Sequence, residues 1–211
     1  MLKLAPRTPL HAVAVPGRYG RCVGGARAVL LTECLGMRLC VIGARRGKTA
    51  EVAEVIRSLT GLAPPPGPNY VTANGLSLVG TAPGQWLASA EGEAAGELLA
   101  KVVAALAGLA TTVEQSDGKA VIRVAGPRAR AALAKGCSLD LDPRAFAPGD
   151  AATTPIALID CTLWQVDAAP TYELAVPSSL AASFWSWLTA AAAEYGYEIA
   201  SPGSRPASER A

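Results

Sequence analysis

Histidine is almost absent from this sequence, since His11 is the only one among 211 residues. A Ser-His-Asp or Cys-His nucleophilic site would have to use His11, which lies in an irregular N-terminal stretch, so no such site is predicted. The five cysteines form no C-x-x-C pair, and no cluster of His, Cys, Asp and Glu has the spacing of metal ligands. The sequence therefore predicts unpaired core thiols rather than a disulfide framework, and no bound metal.

Charged side chains are also scarce, at 17% of the chain against about 25% in an average soluble domain. The formal net charge is +2, and lysine and arginine form no long run, so neither a nucleic-acid partner nor a membrane partner is indicated. The apolar fraction of 51% excludes a disordered chain. With so few charges available to cover a folded surface, we expect part of that surface to be buried by partner proteins.

No apolar run is long enough to cross a bilayer. The best candidate, residues 151–166, is interrupted by Pro155, Asp160 and Gln165 and is shorter than the roughly 20 apolar residues that a membrane helix needs. The first residues contain Pro6, Arg7 and Pro9 where a signal peptide has an uninterrupted apolar segment. The expected location is therefore the cytoplasm.

Short apolar strands alternate with helical patterns between residues 29 and 200. Turn signals at Pro83-Gly84 and Asp117-Gly118 each predict a β-hairpin, and residues 136–154 show no regular pattern. The order βαββαβ followed by βαββα predicts an α+β fold of two tandem ferredoxin-like (βαββαβ) modules. The predicted helices cover residues 48–59, 93–107, 127–134 and 178–195.

Module boundaries follow from the same pattern. We expect an extended lead-in at residues 1–28, a first ferredoxin-like module at 29–118, a second at 119–200 and a flexible tail at 201–211. At the first helix, Thr49 is the expected N-cap and Gly61 the residue just past the end.

Residues 43–49 are similar to a phosphate-binding loop, because they follow a predicted strand, open a helix and contain Gly47-Lys48-Thr49. The two glycines of this segment enclose only three residues, whereas the phosphate loop requires four. The predicted hairpins also indicate an antiparallel sheet, and phosphate-loop proteins are built on parallel βα units. The prediction is a basic turn before a capped helix, with a nucleotide-binding protein as a remote alternative.

Two further features bear on a functional site. Asp140 and Asp142 have no distant partner group for acid–base catalysis, so we expect turn residues or interface contacts. Trp185 lies about 60° outside the apolar arc of the last predicted helix. It is therefore either the edge of a broad core or an interface anchor, because tryptophan is enriched in binding hot spots.

Several segments between residues 83 and 196 carry a family resemblance. They are PGQWL (83–87), VEQSDG (113–118), VIRVAGPRAR (121–130), LAKGCSLDLDPRAF (133–146), FWSWL (184–188) and the pair Tyr195-Gly196. Together they resemble the gamma subunit of heterotetrameric sarcosine oxidase, and residues 133–146 are the most specific part. The resemblance covers about half of the chain, and the N-terminal part agrees only in length.

The resemblance implies a fold similar to the folate-binding fold of aminomethyltransferases. It also implies a complex that oxidatively demethylates sarcosine to glycine, forms hydrogen peroxide and passes the one-carbon unit to tetrahydrofolate. The FAD, FMN, NAD, folate and zinc of such a complex belong to its alpha, beta and delta subunits. The gamma chain is therefore expected to bind no cofactor, to hold no catalytic residue and to act mainly in assembly.

Alternatives to this reading stay open, as does the position of the interface. The complex could oxidise another secondary amine, or the chain could be a stand-alone folate-binding protein similar to aminomethyltransferases, with a catalytic carboxylate in a deep pocket. For a subunit, we expect the irregular loop 136–146 to dock on a partner, with Arg144 pairing to a carboxylate or carbonyl group there. The predicted interface residues are Leu139, Leu141, Arg144, Phe146 and Trp185.

Overall fold

The computed structural model describes residues 8–21 and 28–203, which form twelve strands and four α-helices. The strands are β1 (Gly17–Tyr19), β2 (Val29–Cys34), β3 (Met37–Ala44), β4 (Tyr70–Ala73), β5 (Leu76–Ala82), β6 (Gln85–Glu91), β7 (Ala110–Glu114), β8 (Lys119–Ala125), β9 (Ala151–Ile156), β10 (Ile159–Asp167), β11 (Thr171–Pro177) and β12 (Tyr197–Ile199). The helices are α1 (Thr49–Thr60), α2 (Glu93–Ala105), α3 (Ala129–Leu133) and α4 (Ala181–Ala192). Short 3₁₀ turns flank α4 on both sides.

The strands form two sheets. One has five strands in the order β4-β5-β6-β3-β7, and the other has seven in the order β1-β12-β2-β8-β11-β10-β9. Among these strands every neighbouring pair is antiparallel except β12 and β2, which run parallel. The predicted mixed α+β class is confirmed.

The two sheets pack face to face with helices on their outer sides. Side chains alternate across each strand, so that on β8 the residues Ile122 and Val124 lie in the cluster under α3 and α4, whereas Val121 lies in a cluster between the sheets. The five-stranded sheet shares its outer cluster with α1 and α2, through residues such as Ile56 and Leu99. The result is a four-layer α/β/β/α arrangement.

The two predicted hairpins have different outcomes. The hairpin at Pro83-Gly84 is confirmed, because β5 and β6 pair directly across this turn. The hairpin at Asp117-Gly118 is wrong, because β7 pairs with β3 in one sheet and β8 pairs with β2 and β11 in the other. An Asp-Gly turn reverses the chain, but pairing with a different neighbour decides which sheet each strand joins.

Other boundaries also differ from the sequence expectations. Strand β2, assigned by sequence to the first module, lies in the seven-stranded sheet between β12 and β8. Strand β9 occupies part of the stretch predicted to be irregular. Helix α1 has Lys48 rather than Thr49 in the cap position, without a side-chain cap bond, and ends at the left-handed Gly61 as predicted. Cys22, residues 1–7 and most of the predicted tail lie outside the described residues.

No helix within residues 8–21 and 28–203 is both long and apolar enough to span a membrane.

Candidate subunit interface

The loop 136–146 is held against the chain's own core. Leu141 is 3% exposed and Phe146 is 6% exposed, and both belong to the cluster beneath α3 and α4. The Phe146 ring lies 6.3 Å, centroid to centroid, from the ring of the fully buried Tyr172. Both side chains are therefore covered within this chain, and their predicted contact with a partner stays a prediction.

The polar part of the same loop faces solvent. Arg144 is exposed and its guanidinium donates to both carboxylate oxygens of Asp142, with N···O distances of 2.8 and 3.2 Å. The hydrogen bonds from Arg144 hold the pKa of the Asp142 carboxyl below its usual value. Asp140 accepts from the backbone N–H of Asp142 at 2.9 Å. Both aspartates thus act as turn residues, and Leu139 is half-buried beside the core.

Trp185 belongs to the core as well. It lies on α4 and is 2% exposed, so its ring is covered within the isolated chain. Its indole N–H has no hydrogen-bond partner among the described residues. Of the two interpretations that the helical wheel left open, the burial of Trp185 favours the edge of a broad core, and its role at an interface stays a prediction.

The β9–β10 hairpin exposes an apolar side chain that sequence reasoning missed. Ile156 pairs with Ile159, so Ala157 and Leu158 alone form the turn. Both have left-handed backbones, with φ of 50° and 66°, a conformation that costs roughly 1–2 kcal/mol for each residue with a side chain. Leu158 is 99% exposed. The one available sequence signal was length, because the apolar run from residue 151 to 166 is too long for a typical strand.

A buried ion pair between the sheets was also missed. Arg123 on β8 lies opposite Glu173 on β11, and its Nη2 and Nε donate to Glu173 Oε1 at 2.7 and 3.2 Å. The two side chains are 7% and 0% exposed. Strand alternation places them on the same face as Val121 and Ala175, which line the layer between the sheets. A charged residue in the middle of each of two mostly apolar strands was the signal for this pair.

The candidate catalytic groups have structural partners. His11 is exposed, with its ring nitrogen 2.8 Å from the Thr8 carbonyl oxygen. Lys48, in the segment similar to a phosphate loop, pairs with Glu51 of its own helix at 2.7 Å. Strand β3, which leads into that segment, has antiparallel neighbours on both sides, unlike the strand before a phosphate loop.

One cavity of the chain has a buried carboxylate in its wall, and both oxygens of that carboxylate accept hydrogen bonds. A cavity of about 410 Å³ is lined in part by Glu33, which is 2% exposed. Its Oε2 accepts from the Thr8 hydroxyl at 2.8 Å and its Oε1 from the Leu10 N–H at 3.2 Å. This carboxylate therefore fastens the N-terminal turn to β2. The cavity also contacts Asp117, which lies exposed at the turn between the two sheets.

Burial also decides the reactivity of three cysteines. Burial raises the pKa of Cys40 and of Cys137, and it raises the pKa of Cys161 to about 12. Because the thiolate is the nucleophile and the metal ligand, these three cysteines stay protonated and unreactive at neutral pH. Within residues 8–21 and 28–203, no group of three or more His, Cys, Asp and Glu side chains could hold a metal ion.

Comparison with known proteins places these features in a family. The sequence model of the "Sarcosine oxidase, gamma subunit family" matches residues 46–194. The chain is 33% identical over 195 residues to sarcosine oxidase subunit gamma of Corynebacterium sp. (strain P-1), covering 91% of this chain and 92% of that one. It is 31% identical over 169 residues to the subunit of the same name from Arthrobacter sp., covering 80% and 81% of the two chains.

Solved structures agree on the fold. A chain of the heterotetrameric sarcosine oxidase from Corynebacterium sp. U-96, solved in complex with pyrrole 2-carboxylate, superposes with a TM-score of 0.75 at 24% identity, covering 90% of this chain and 96% of that one. Aminomethyltransferase T of the glycine cleavage system from Bartonella henselae gives a TM-score of 0.59 at 14% identity, covering 84% and 48%. The second match confirms the predicted likeness to the aminomethyltransferase fold. By its sequence matches, this chain belongs to the sarcosine oxidase gamma subunit family.

Proposed function

We propose that this chain is the gamma subunit of a heterotetrameric sarcosine oxidase and that alpha, beta and delta subunits are its partners. The observation that carries the proposal is the match to gamma subunits along nine tenths of both chains. In such a complex sarcosine loses its methyl group to tetrahydrofolate as methylene-tetrahydrofolate, oxygen is reduced to hydrogen peroxide, and glycine is released.

The role of this chain in the complex is structural rather than catalytic. Its buried thiols are protonated, its one histidine lies on an exposed turn, and the buried carboxylate of Glu33 holds a backbone segment in place. The FAD, FMN, NAD, folate and zinc of the complex are accordingly assigned to the partner subunits, which work with this chain in the cytoplasm.

We infer that the architecture contains two ferredoxin-like modules and that β2 is inserted into the second of them. In the first, β3, α1, β5, β6, α2 and β7 follow the order βαββαβ, and the strands lie in the spatial order β5-β6-β3-β7. This is the arrangement expected of such a module. In the second, β10-β11-β8 match the first three positions, and β2 lies where the fourth strand would be. The insertion of β2 into the sheet of the second module supports one folding unit rather than two separable domains.

The partner surface includes the exposed part of the loop 136–146. Leu139 presents a half-buried apolar side chain, and the exposed Arg144 presents a guanidinium that is already oriented by Asp142. Pre-oriented planar donors recognise carboxylates well. Of the five interface residues that the sequence predicts, these two are the ones with surface to offer a partner.

Co-expression tests the proposal. A tagged copy of this chain would be produced with genes for its three candidate partners, and in parallel with each partner left out. We expect affinity purification to recover a four-subunit complex with flavin absorbance and sarcosine-dependent peroxide formation. Recovery of the chain alone in the presence of all three partners, or tight binding of tetrahydrofolate by the isolated chain, would contradict the subunit assignment.

A further inference from the structure

Two β-hairpins of this chain have two-residue turns of similar backbone geometry, although one turn is built from residues that favour positive φ and the other is not. In the β4–β5 hairpin Ala73 pairs with Leu76, so that Asn74 and Gly75 form the turn with φ of 52° and 76°. In the β9–β10 hairpin the two turn residues have φ of 50° and 66°. Asn-Gly is the pair that this conformation favours, because both residues tolerate positive φ. Ala157 and Leu158 adopt it against their own preference.

The turn that carries Leu158 is held in place by contacts with the rest of the chain. The Ala157 N–H donates to the Gly136 carbonyl at 3.0 Å, and Cys137 forms a β-bridge with Ile156 just before the turn. A side chain at Gly136 would collide with the ring of Trp187 on α4. The turn is therefore tied to the loop after α3 and, through that loop, to α4. A residue held in this way loses little conformational freedom when a partner covers it.

We propose that Leu158 is an anchor that inserts into an apolar pocket on another subunit of the heterotetramer. The inference rests on the proposed function. Among the described residues the other exposed large apolar side chains are 40–56% exposed, whereas Leu158 is 99% exposed at the end of a hairpin. The free chain gains nothing from an apolar side chain there, since burial is what makes leucine favourable.

A partner of different sequence fits this geometry better than a second copy. In a two-fold symmetric dimer Leu158 of each copy would have to enter a pocket on the other copy, so one patch of this chain would need both the projecting leucine and a matching apolar pocket. A projecting side chain needs a complementary concave surface, which a different subunit supplies. Asp160 is exposed next to Ile159 and forms no ion pair with any described residue. The rim of the partner's pocket is therefore expected to carry a lysine or arginine.

The test replaces the turn pair by the residues used at the other hairpin. The double variant Ala157→Asn/Leu158→Gly keeps the turn geometry, removes backbone strain and deletes the apolar side chain. We expect the isolated variant to melt at or above the temperature of the wild-type chain. Its dissociation constant for the complex formed by the other subunits is expected to rise at least tenfold, as measured by surface plasmon resonance.

A matched control and the opposing outcomes complete the design. Leu59→Ala removes another exposed leucine, on α1, and is expected to leave the dissociation constant unchanged. If the wild-type chain and the turn variant assemble equally tightly, Leu158 is not an anchor, and the proposed function stays intact. A wild-type chain that does not assemble would overturn both. A wild-type homodimer that the turn variant abolishes, with unchanged binding to the other subunits, would assign Leu158 to self-association instead.

Discussion

The β4–β5 and β9–β10 hairpins show how differently local chemistry and tertiary packing can reach one backbone shape. At Asn74-Gly75 the turn residues themselves favour left-handed φ, so that local sequence and fold agree. At Ala157-Leu158 they disagree, and the register is set by the flanking strands, where Ile156, Cys161 and Leu163 are fully or almost fully buried. Slipping β10 by one residue would move these side chains to the other face of the sheet.

A parallel contrast exists between the inner faces of the two sheets. Where the central strands of the seven-stranded sheet carry Arg123 opposite Glu173, those of the five-stranded sheet carry Leu39 opposite Ser89. Both pairs are buried. One sheet therefore places charge in the layer between the sheets and the other places a neutral hydroxyl there. Natural proteins depart from local rules mostly at functional or strained sites. The left-handed Ala157-Leu158 turn and the buried Arg123–Glu173 pair both lie in the seven-stranded sheet.

The largest expected effect comes from removing half of the buried ion pair. Glu173→Leu leaves the Arg123 guanidinium buried without its carboxylate and is expected to lower the free energy of unfolding by about 3–5 kcal/mol. The double variant Arg123→Met/Glu173→Leu should recover most of that loss, because an apolar pair of similar volume replaces the charges. Urea denaturation of the isolated chain measures both.

Ser89→Ala is the matched change in the other sheet. The Ser89 hydroxyl is buried with no hydrogen-bond partner among the described residues, so its removal should change stability by less than about 1 kcal/mol. A single Glu173→Leu variant as stable as Ser89→Ala would show that the two inner faces are energetically alike, against the contrast drawn above.

The next largest effect concerns the loop 136–146. Phe146→Ala should lower the free energy of unfolding by roughly 3 kcal/mol or more, because it empties a buried site beside Tyr172. The folded fraction should still bind its partners with wild-type affinity, measured by co-purification below the melting temperature. Arg144→Ala, a neighbouring exposed position, should change stability by less than about 0.5 kcal/mol. Weaker assembly of folded Phe146→Ala would show that this residue contacts a partner, as the sequence predicts.

The third prediction concerns the β4–β5 turn, where the change is the reverse of the one proposed for the β9–β10 turn. Asn74→Ala/Gly75→Leu places side chains in two left-handed positions and is expected to cost about 2 kcal/mol or more of stability. A Cβ at Gly75 would also lie 2.9 Å from the Glu91 carbonyl oxygen. Gly36→Ala is the control, with φ of 72° and open space around its Cβ, and should cost about 1 kcal/mol. Thermal melting distinguishes strain alone from strain with a clash.

The sequence predicted much of this fold because its signals are local. Periodic apolar residues located the four helices to within a few residues, and Gly61 ended α1 as expected. Pairing partners far apart in sequence are not predictable in this way. The Asp117-Gly118 turn therefore gave a wrong hairpin prediction, and the position of β2 beside β8 was not predicted. Asn74-Gly75 is also a local signal, because this pair favours the two-residue turn that joins β4 and β5.

The candidate interface was harder to predict, since loop composition does not tell whether an apolar residue packs inward or outward. Leu141 and Phe146 pack inward on the core, whereas Arg144 faces solvent. Leu158 carried no turn signal at all, because leucine rarely occupies left-handed positions. Its exposure results from a register that distant strands impose, which a single sequence does not display.

The smallest expected effect is a pH dependence at the base of the β9–β10 hairpin. Cys161 lies two residues beyond Ile159, and its Sγ lies 3.1 Å from the Ile159 carbonyl oxygen. Burial raises the pKa of this thiol from 9.0 to about 12 in the folded chain. A raised pKa means that the folded state keeps a proton which the unfolded state has released, so the contribution to stability is complete below pH 9 and is lost as the pH rises toward 12. The expected slope is about 1.4 kcal/mol per pH unit at most.

Urea denaturation at pH 8 and pH 10.5 measures this effect by difference. Other thiols, lysines and tyrosines titrate over the same interval, so the informative quantity is how much of the stability loss disappears in Cys161→Ala. The variant loses packing at both pH values, and that loss cancels when the two are subtracted. We expect the pH-dependent loss to shrink by about 1–2 kcal/mol. An identical loss in variant and wild type would mean that water reaches the thiol, and thus that the hairpin base is less firmly closed than its strand register indicates.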